Sequence, residues 1–359
     1  MNIFLISNMY PSEEDPDYGI FVKKISKNLI NNGVIISANS VIEGRPKNFF
    51  QKIIKYLVFY FSIIFKYYSC KYDLIYVHFV SHASPVLVLL NIMSCKKRII
   101  VSNVHGSDII IHNKGIFKLF ISSLLKASSL IIVPSPSFFK VIQHKFTFID
   151  SSKIFISPSG GIDRNIFKPL KIKTDSVLKI GFVSRIEEEK GWKTLLKSLK
   201  YLKEEGELFK CHFVGKGSQA ELLKKLIIEN NLSNQISFLG VLNHHDLNKF
   251  YNSLDVLVFP TEANESLGLV GLEAMSCGKP VIGSNIAGLK TYIEDGFNGF
   301  LFTPGDISEL KDAILKFQNL PPENKHLMKM NAISTSKLYD NQKVSLKLFE
   351  RFKKLLKES

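Results

Sequence analysis

The feature that most constrains this chain is a short apolar run that recurs along its length, closed each time by a turn signal. In the first half the runs are Ile3–Ser7, Leu74–His78, Arg98–Asn103, Leu130–Pro134 and Lys153–Ser157. In the second half they are Leu178–Ser184, Lys210–Gly215, Gln235–Gly240, Asp255–Pro260, Pro280–Ser284 and Gly299–Phe302. Each is rich in β-branched or aromatic residues, which is how a strand buried on both faces reads. Stretches with helical spacing, such as Thr194–Glu205 and Gln219–Asn230, separate most of them. Strand–helix alternation of this kind predicts an α/β chain with parallel, doubly wound sheets. At 359 residues the chain is long for one core and comfortable for two. The expectation is two Rossmann-like domains of five or six strands each.

The break is expected at Ser157–Pro169, where Pro158, Gly160 and Gly161 end a strand and apolar runs restart only at Leu178. Residues 1–165 then make the first domain and 170–335 the second, with the linker near 160–175. In the remainder, 336–359, the basic segment Asn341–Lys357 predicts an amphipathic helix that can pack back on the first domain. Its apolar residues are Val344, Leu346, Leu348, Phe349, Phe352 and Leu355.

Composition narrows the setting. With 45% hydrophobic and 22% charged residues, the chain is neither disordered nor collagen-like. Cys70, Cys95, Cys211 and Cys277 form no CxxC pair, which suits a reducing compartment and indicates neither zinc nor a disulfide framework. The opening Met1–Ser7 has no basic n-region and reads as a first buried strand, so a cytoplasmic location is expected. The longest apolar run, Tyr56–Phe65, falls short of the about 20 residues needed to span a bilayer, so no transmembrane helix is expected. Residues 1–170 carry 20 Lys and Arg against 9 Asp and Glu, so +11, whereas 171–359 carry 27 against 23, so +4. A basic first half implies an anionic partner: nucleic acid, a phosphorylated substrate or an acidic membrane surface. A lysine-rich solvated surface in a chain biased toward Lys, Asn, Ile and Phe explains the same excess.

Ligands of open α/β sheets bind beyond the carboxyl ends of the strands, so the loops after each strand matter most. After Leu178–Ser184 come Arg185 and, five residues on, Lys190 and Gly191. Two cations there can hold a diphosphate without a metal, or can be surface cations facing Glu187–Glu189. After Asp255–Pro260 the chain carries Glu265 and a helix starting near Gly268, whose amides around Leu267–Leu269 form an anion site. Glu273 leans back over that turn, within reach of ribose hydroxyls. Read without a ligand, Glu265 is a dipole partner and Glu273 an exposed helix residue. Gly215-Lys216-Gly217 is a tight turn that can flank a base or ribose. In the first half, Gly106 turns the chain so that His105 and Asp108 lie at the binding edge, and Gly19 opens a helix where phosphate or sugar can approach. Asp15-Pro16-Asp17 spells a metal-type Asp-x-Asp, but no strand feeds it, and no metal site is expected.

In register, these pieces resemble glycosyltransferase family 4, the retaining GT-B group of bacterial polysaccharide and lipid glycosylation. The resemblance rests on Gly19, His105–Asp108, the Gly160-Gly161-Ile162-Asp163…Phe167-Lys168-Pro169 linker, Ser184–Gly191, the Glu265…Glu273 signature and Glu273–Val281 with Gly296–Asp306. The family often has an aromatic residue where Leu267 stands and a tryptophan where Tyr339 stands.

The resemblance implies a GT-B architecture, two Rossmann-like domains facing across a cleft, the first on the acceptor side and the second holding the nucleotide sugar. It implies that Arg185 and Lys190 grip the donor diphosphate, Glu273 the ribose and Glu265 the transferred sugar. His105 would line the sugar site from the other domain. Gly19, Asp108, Ser184, Gly215, Leu267, Gly268 and Leu269 complete the donor-binding set. The implied reaction is metal-independent, cofactor-free transfer of a hexosyl group from a UDP- or GDP-linked sugar to a saccharide acceptor. That acceptor would be lipid-linked, as in O-antigen, capsule or exopolysaccharide synthesis.

Residues 47–71 mix Lys52, Lys55 and Lys66 with Phe49, Phe50, Ile53, Ile54, Phe59, Phe61, Ile64 and Phe65. That content suits a helix lying peripherally on an anionic membrane, and equally a core helix with lysines at its ends. Two rival readings remain, a GT-B-fold epimerase of the nucleotide sugar and a non-enzymatic basic protein that binds membrane or nucleic acid. No recognition-helix or single-strand platform pattern supports nucleic acid.

Overall fold

Each strand pair is parallel, as runs without alternation require. The computed structural model describes residues 1–359 except 95, 111–114, 173–176, 264 and 359, so the expectations for Cys95 and for residues 173–175 of the linker lie outside the described residues. The chain divides into two units, Met1–Gly161 with Asn341–Ser359, and Ile162–Asp340.

The first unit runs β1 (Asn2–Tyr10), α1 (Ile20–Asn31), β2 (Ile35–Glu43), α2 (Phe49–Ser69), β3 (Leu74–His78), α3 (Val80–Met93) and β4 (Ile100–Asn103). It continues through α4 (Ser107–Ile110), α5 (Gly115–Ala127), β5 (Leu130–Val133), α6 (Pro136–Lys145) and β6 (Ile154–Ile156). The strands lie in the order β2-β1-β3-β4-β5-β6. One strand has no counterpart among the expected runs. In β2, Ala38, Ser40 and Ile42 are buried while Ser37, Asn39 and Glu43 are exposed. It is an edge strand covered on one face, so it alternates where its neighbours do not.

The second unit runs β7 (Leu178–Val183), α7 (Trp192–Glu204), β8 (Phe209–Val214), α8 (Ala220–Glu229), β9 (Ile236–Phe238), α9 (His244–Ser253) and β10 (Val256–Phe259). Then follow α10 (Leu269–Ser276), β11 (Val281–Ser284), β12 (Gly299–Phe302), α11 (Ile307–Gln318) and α12 (Pro322–Ser336). The sheet order is β12-β11-β10-β7-β8-β9, which turns back between β7 and β10. The fold is thus two parallel six-stranded sheets with alternating helices.

The last helix, α13 (Asn341–Glu358), belongs to the first unit. Its Leu348, Phe352 and Leu355 join Ile3, Leu5, Val22 and Leu29 in one buried cluster. The Phe352 ring meets Tyr76 edge-on at 5.2 Å, and Asn32 on the C-terminal cap of α1 donates to Ser345 at 2.9 Å. Leu346, expected among the packing residues, instead points outward and is 46% exposed. On the other side of the sheet, Phe59, Ile63 and Tyr67 of α2 share a core with α3 and α5. Among the described residues no helix is long and apolar enough to cross a membrane.

Because Phe352 is fully buried, Phe352→Ala is expected to lower the stability of the first unit by about 3–5 kcal/mol in a denaturant titration. A loss under about 1 kcal/mol would show that α13 contributes little to that core.

Candidate functional site

A doubly wound sheet binds its ligand where the strand order reverses. In the second unit that point lies between β7 and β10, hydrogen-bonded neighbours that two strands separate in sequence. The loop after β7 closes in a turn at Glu188–Lys190, and the loop after β10 leads to α10. The two loops are stitched together. The main-chain N–H groups of Glu262 and Ala263 donate to the Glu189 carbonyl at 2.9 and 3.0 Å, and the Thr194 hydroxyl donates to the Glu262 carboxylate at 2.8 Å. So close an approach needs Gly191: its φ is +69°, and a Cβ there would stand 1.8 Å from the Pro260 carbonyl oxygen.

Across this junction the Lys190 ammonium donates to the Glu265 carboxylate. The two side chains are only 12% and 20% exposed. In so enclosed a place each charge depends on the other, since removing one partner would leave the second unpaired. Arg185 reaches Glu189 at 3.3 Å and is 65% exposed. Such an open ion pair holds weakly and can exchange for an incoming anion at little cost.

The flanking expected residues follow the same loops. The Ser184 N–H donates to the Val214 carbonyl at 3.1 Å, and a side chain on Gly215 would strike the Ser184 carbonyl. Leu267 is buried, and Gly268 precedes α10 in the left-handed conformation, with no side chain capping the helix start. The Tyr292 hydroxyl donates to the Gly268 carbonyl at 2.9 Å. Among the described residues, no side chain caps the N–H groups of Leu269 and Val270 at the start of this helix. Glu273 accepts from the Tyr251 hydroxyl at 3.0 Å, and burial, then the nearby carboxylate, pushes that tyrosine well above its ordinary pKa.

In the first unit Gly19 starts α1 with φ +69°, and a Cβ there would lie 2.5 Å from the main chain of Met9. His105 follows β4. Its Nε2 lies 3.0 Å from Nδ1 of the buried His78, with the rings stacked at 5.2 Å, and Phe21 and Phe79 enclose it at 4.8 and 4.7 Å. Burial pushes His105 down to about 3 and His78 well below its usual value, so both imidazoles stay neutral. Asp108 is buried too. Its carboxylate accepts the main-chain N–H groups of Gly106 at 2.9 Å, His105 at 3.1 Å and Val80 at 3.3 Å. Burial still raises its pKa to about 6. The structure therefore places Asp108 as the brace of the His105 turn, where the sequence suggests a side chain open at the binding edge.

Asp15 of the Asp-x-Asp sequence pairs with Arg45 at 3.4 Å. Among the described residues no group of three or more His, Cys, Asp or Glu side chains is placed to hold a metal. A cavity of about 630 Å³ in the second unit is lined by Leu178, Asp255, Lys279 and Lys329. Leu178 and Asp255 stand at the starts of β7 and β10, so this cavity is at the opposite end of the sheet from Lys190 and Glu265.

Sequence reasoning missed two partners, His78 and Tyr251, while Glu189 is among the carboxylates it set against Arg185. Only His78 left a signal, as a polar residue closing the strand before the one that His105 follows.

Residues 163–335 match the family model described as Glycosyl transferases group 1. Sulfoquinovosyl transferase SQD2 of Arabidopsis thaliana is 31% identical over 211 residues, 55% of this chain and 38% of that protein. The putative colanic acid biosynthesis glycosyltransferase WcaL of Escherichia coli is 26% identical over 174 residues, 47% of this chain and 43% of that protein. The chain thus spans well under half the length of these curated relatives. Among solved structures, Anabaena HepE in complex with UDP superposes with a TM-score of 0.77 at 19% identity, covering 99% of this chain and 100% of that one. Residues 163–335 are thus similar to the group 1 glycosyl transferases, and the chain as a whole has a GT-B fold of two Rossmann-like units.

Proposed function

We propose that this chain is a retaining, metal-independent glycosyltransferase of the family 4 type. It moves a hexosyl group from a nucleotide-diphosphate sugar to a saccharide acceptor, lipid-linked, in bacterial surface polysaccharide synthesis. The observation that carries this reading is the Lys190–Glu265 pair at the reversal point of the second sheet, beside the exposed Arg185 and the glycine-led start of α10. The match of residues 163–335 to the group 1 glycosyl transferases, the UDP in the HepE structure and the similarity to the colanic acid glycosyltransferase WcaL support it.

In this reading an incoming diphosphate takes Lys190 from Glu265 and Arg185 from Glu189. The released Glu265 carboxylate then accepts a hydroxyl of the transferred sugar, and Glu273 accepts from the ribose. As the bond from the anomeric carbon to the phosphate oxygen lengthens, negative charge grows on the leaving diphosphate. Lys190, Arg185 and the first-turn N–H groups of α10 stabilise it there. The acceptor hydroxyl attacks from the face the nucleotide leaves and passes its proton to the departing phosphate. His105 contributes a neutral imidazole in the first unit, held by His78 and the Asp108 turn.

Two outcomes check the chemistry. Arg185→Ala and Glu265→Ala are each expected to lower kcat/KM for nucleoside diphosphate release by about 100-fold or more, near 3 kcal/mol of transition-state stabilisation, with an unchanged circular dichroism spectrum. Turnover that consumes nucleotide sugar without releasing nucleoside diphosphate would show an epimerase instead. In a thermal-shift screen of UDP, GDP, ADP and CMP sugars, the true donor at about 100 times its Kd should add roughly 2.7 kcal/mol of stability. No shift with any of them would contradict the reading.

A pH dependence follows from the histidine pair. His105 has a folded pKa of about 3 against 6.5, so its stabilising contribution is complete above pH 6.5 and is lost as pH falls toward 3. Asp108, raised from 3.8 to about 6, acts oppositely: its contribution is complete below pH 3.8 and is lost as pH rises through 6. With His78 shifted in the same sense as His105, the histidines outweigh it. The melting temperature is expected to fall between pH 7 and pH 5, and a His78→Gln, His105→Gln double variant should flatten that fall. An unchanged slope in the double variant would contradict it.

A further inference from the structure

We propose that α2 docks the first unit on an anionic lipid surface, its outward apolar face lying in the boundary between headgroups and acyl chains. The inference stands on the first unit alone and does not rest on the transfer chemistry.

A helix that is apolar all round is ordinarily buried all round, and α2 is apolar on both faces. Its inner residues Phe59, Ile63 and Tyr67 fill the core against the sheet. Its outer face carries ten apolar residues between Phe49 and Tyr68 that are 39–76% exposed. Phe50, Ile54, Leu57, Phe61 and Tyr68 repeat at helical spacing along it. At about 150–250 Å² per ring, its five exposed aromatics alone offer roughly 700 Å², beyond the roughly 300–600 Å² of the largest patch on an ordinary monomer. The same helical layer adds Ile116, Phe117 and Leu119 of α5, all exposed.

Charge selects the occupant. The sequence Phe49–Ser69 holds no carboxylate, and residues 1–170 are basic, with 20 Lys and Arg against 9 Asp and Glu, so +11. Anionic lipid attracts such a surface, and aromatic side chains suit the headgroup level. The structure also revises the part played by two lysines. Lys55 donates to the Gly44 carbonyl at 2.9 Å and Lys66 to the Asn39 carbonyl, so both turn toward β2 and fix the helix on the sheet. A second copy of the chain fits the face less well. A coiled-coil seam is a narrow stripe with charged flanks, whereas here the flanking Ile53, Val58 and Phe65 are apolar too. Over its 21 residues α2 would lie flat for about 31 Å.

The test is flotation of the full chain with vesicles of phosphatidylcholine and phosphatidylglycerol in equal parts, beside vesicles of phosphatidylcholine alone. The anionic vesicles should carry the protein, and raised salt should weaken the association severalfold. The double variant Phe61→Glu, Phe65→Glu should bind at least tenfold less while keeping the wild-type melting temperature. The proposal is overturned if wild type stays with the soluble fraction, if the double variant binds equally, or if sedimentation shows a dimer that Phe61→Glu, Phe65→Glu dissociates and that binds no vesicles.

Discussion

The candidate site depends on one close approach, the loop after β7 lying against the loop after β10. Gly191 permits it, because any side chain there would collide with the Pro260 carbonyl. The Glu189 carbonyl holds it by accepting from Glu262 and Ala263. Only with this seam in place does Lys190 meet Glu265, 75 residues further along the chain. The pairing serves two purposes at once. It neutralises two enclosed charges, and in the proposed reading it holds a cation and a carboxylate where a diphosphate and a sugar would separate them. In that reading the pair exchanges partners on binding, so that desolvation of each group is already met before the ligand arrives.

The same topological rule places the first unit's polar groups. His78 closes β3 and His105 follows β4, and these strands are neighbours, so the imidazoles stack at the carboxyl edge. The surrounding Phe21 and Phe79 keep them neutral, and Asp108 is spent on main-chain N–H groups. An enclosed neutral imidazole can donate or accept one hydrogen bond without adding charge, which suits contact with a sugar hydroxyl better than with a phosphate.

Much of this was legible in the sequence, for a physical reason. Strands buried on both faces must be apolar throughout, so β1, β3 and β7 announce themselves, and the loops after them are then fixed at the binding edge. The edge strand β2 was not legible, because one covered face leaves only Ala38, Ser40 and Ile42 to signal it. Contacts between distant segments were not legible either. Nothing near Glu273 in sequence points to Tyr251, and nothing in the letters of residues 47–71 tells which lysines face β2 and which face solvent. Burial patterns reveal where a side chain sits; its partner is chosen by the fold.

The most direct test of the central claim is calorimetric titration of free nucleoside diphosphate, UDP and GDP in turn, into the wild type, Lys190→Met, Glu265→Gln and the double variant. If the Lys190–Glu265 pair opens to admit the diphosphate, Lys190→Met should weaken binding at least tenfold in either background. Glu265→Gln alone should bind as tightly as wild type or more so, because the ammonium no longer has to be drawn from a carboxylate. Unchanged affinity in Lys190→Met would contradict the account.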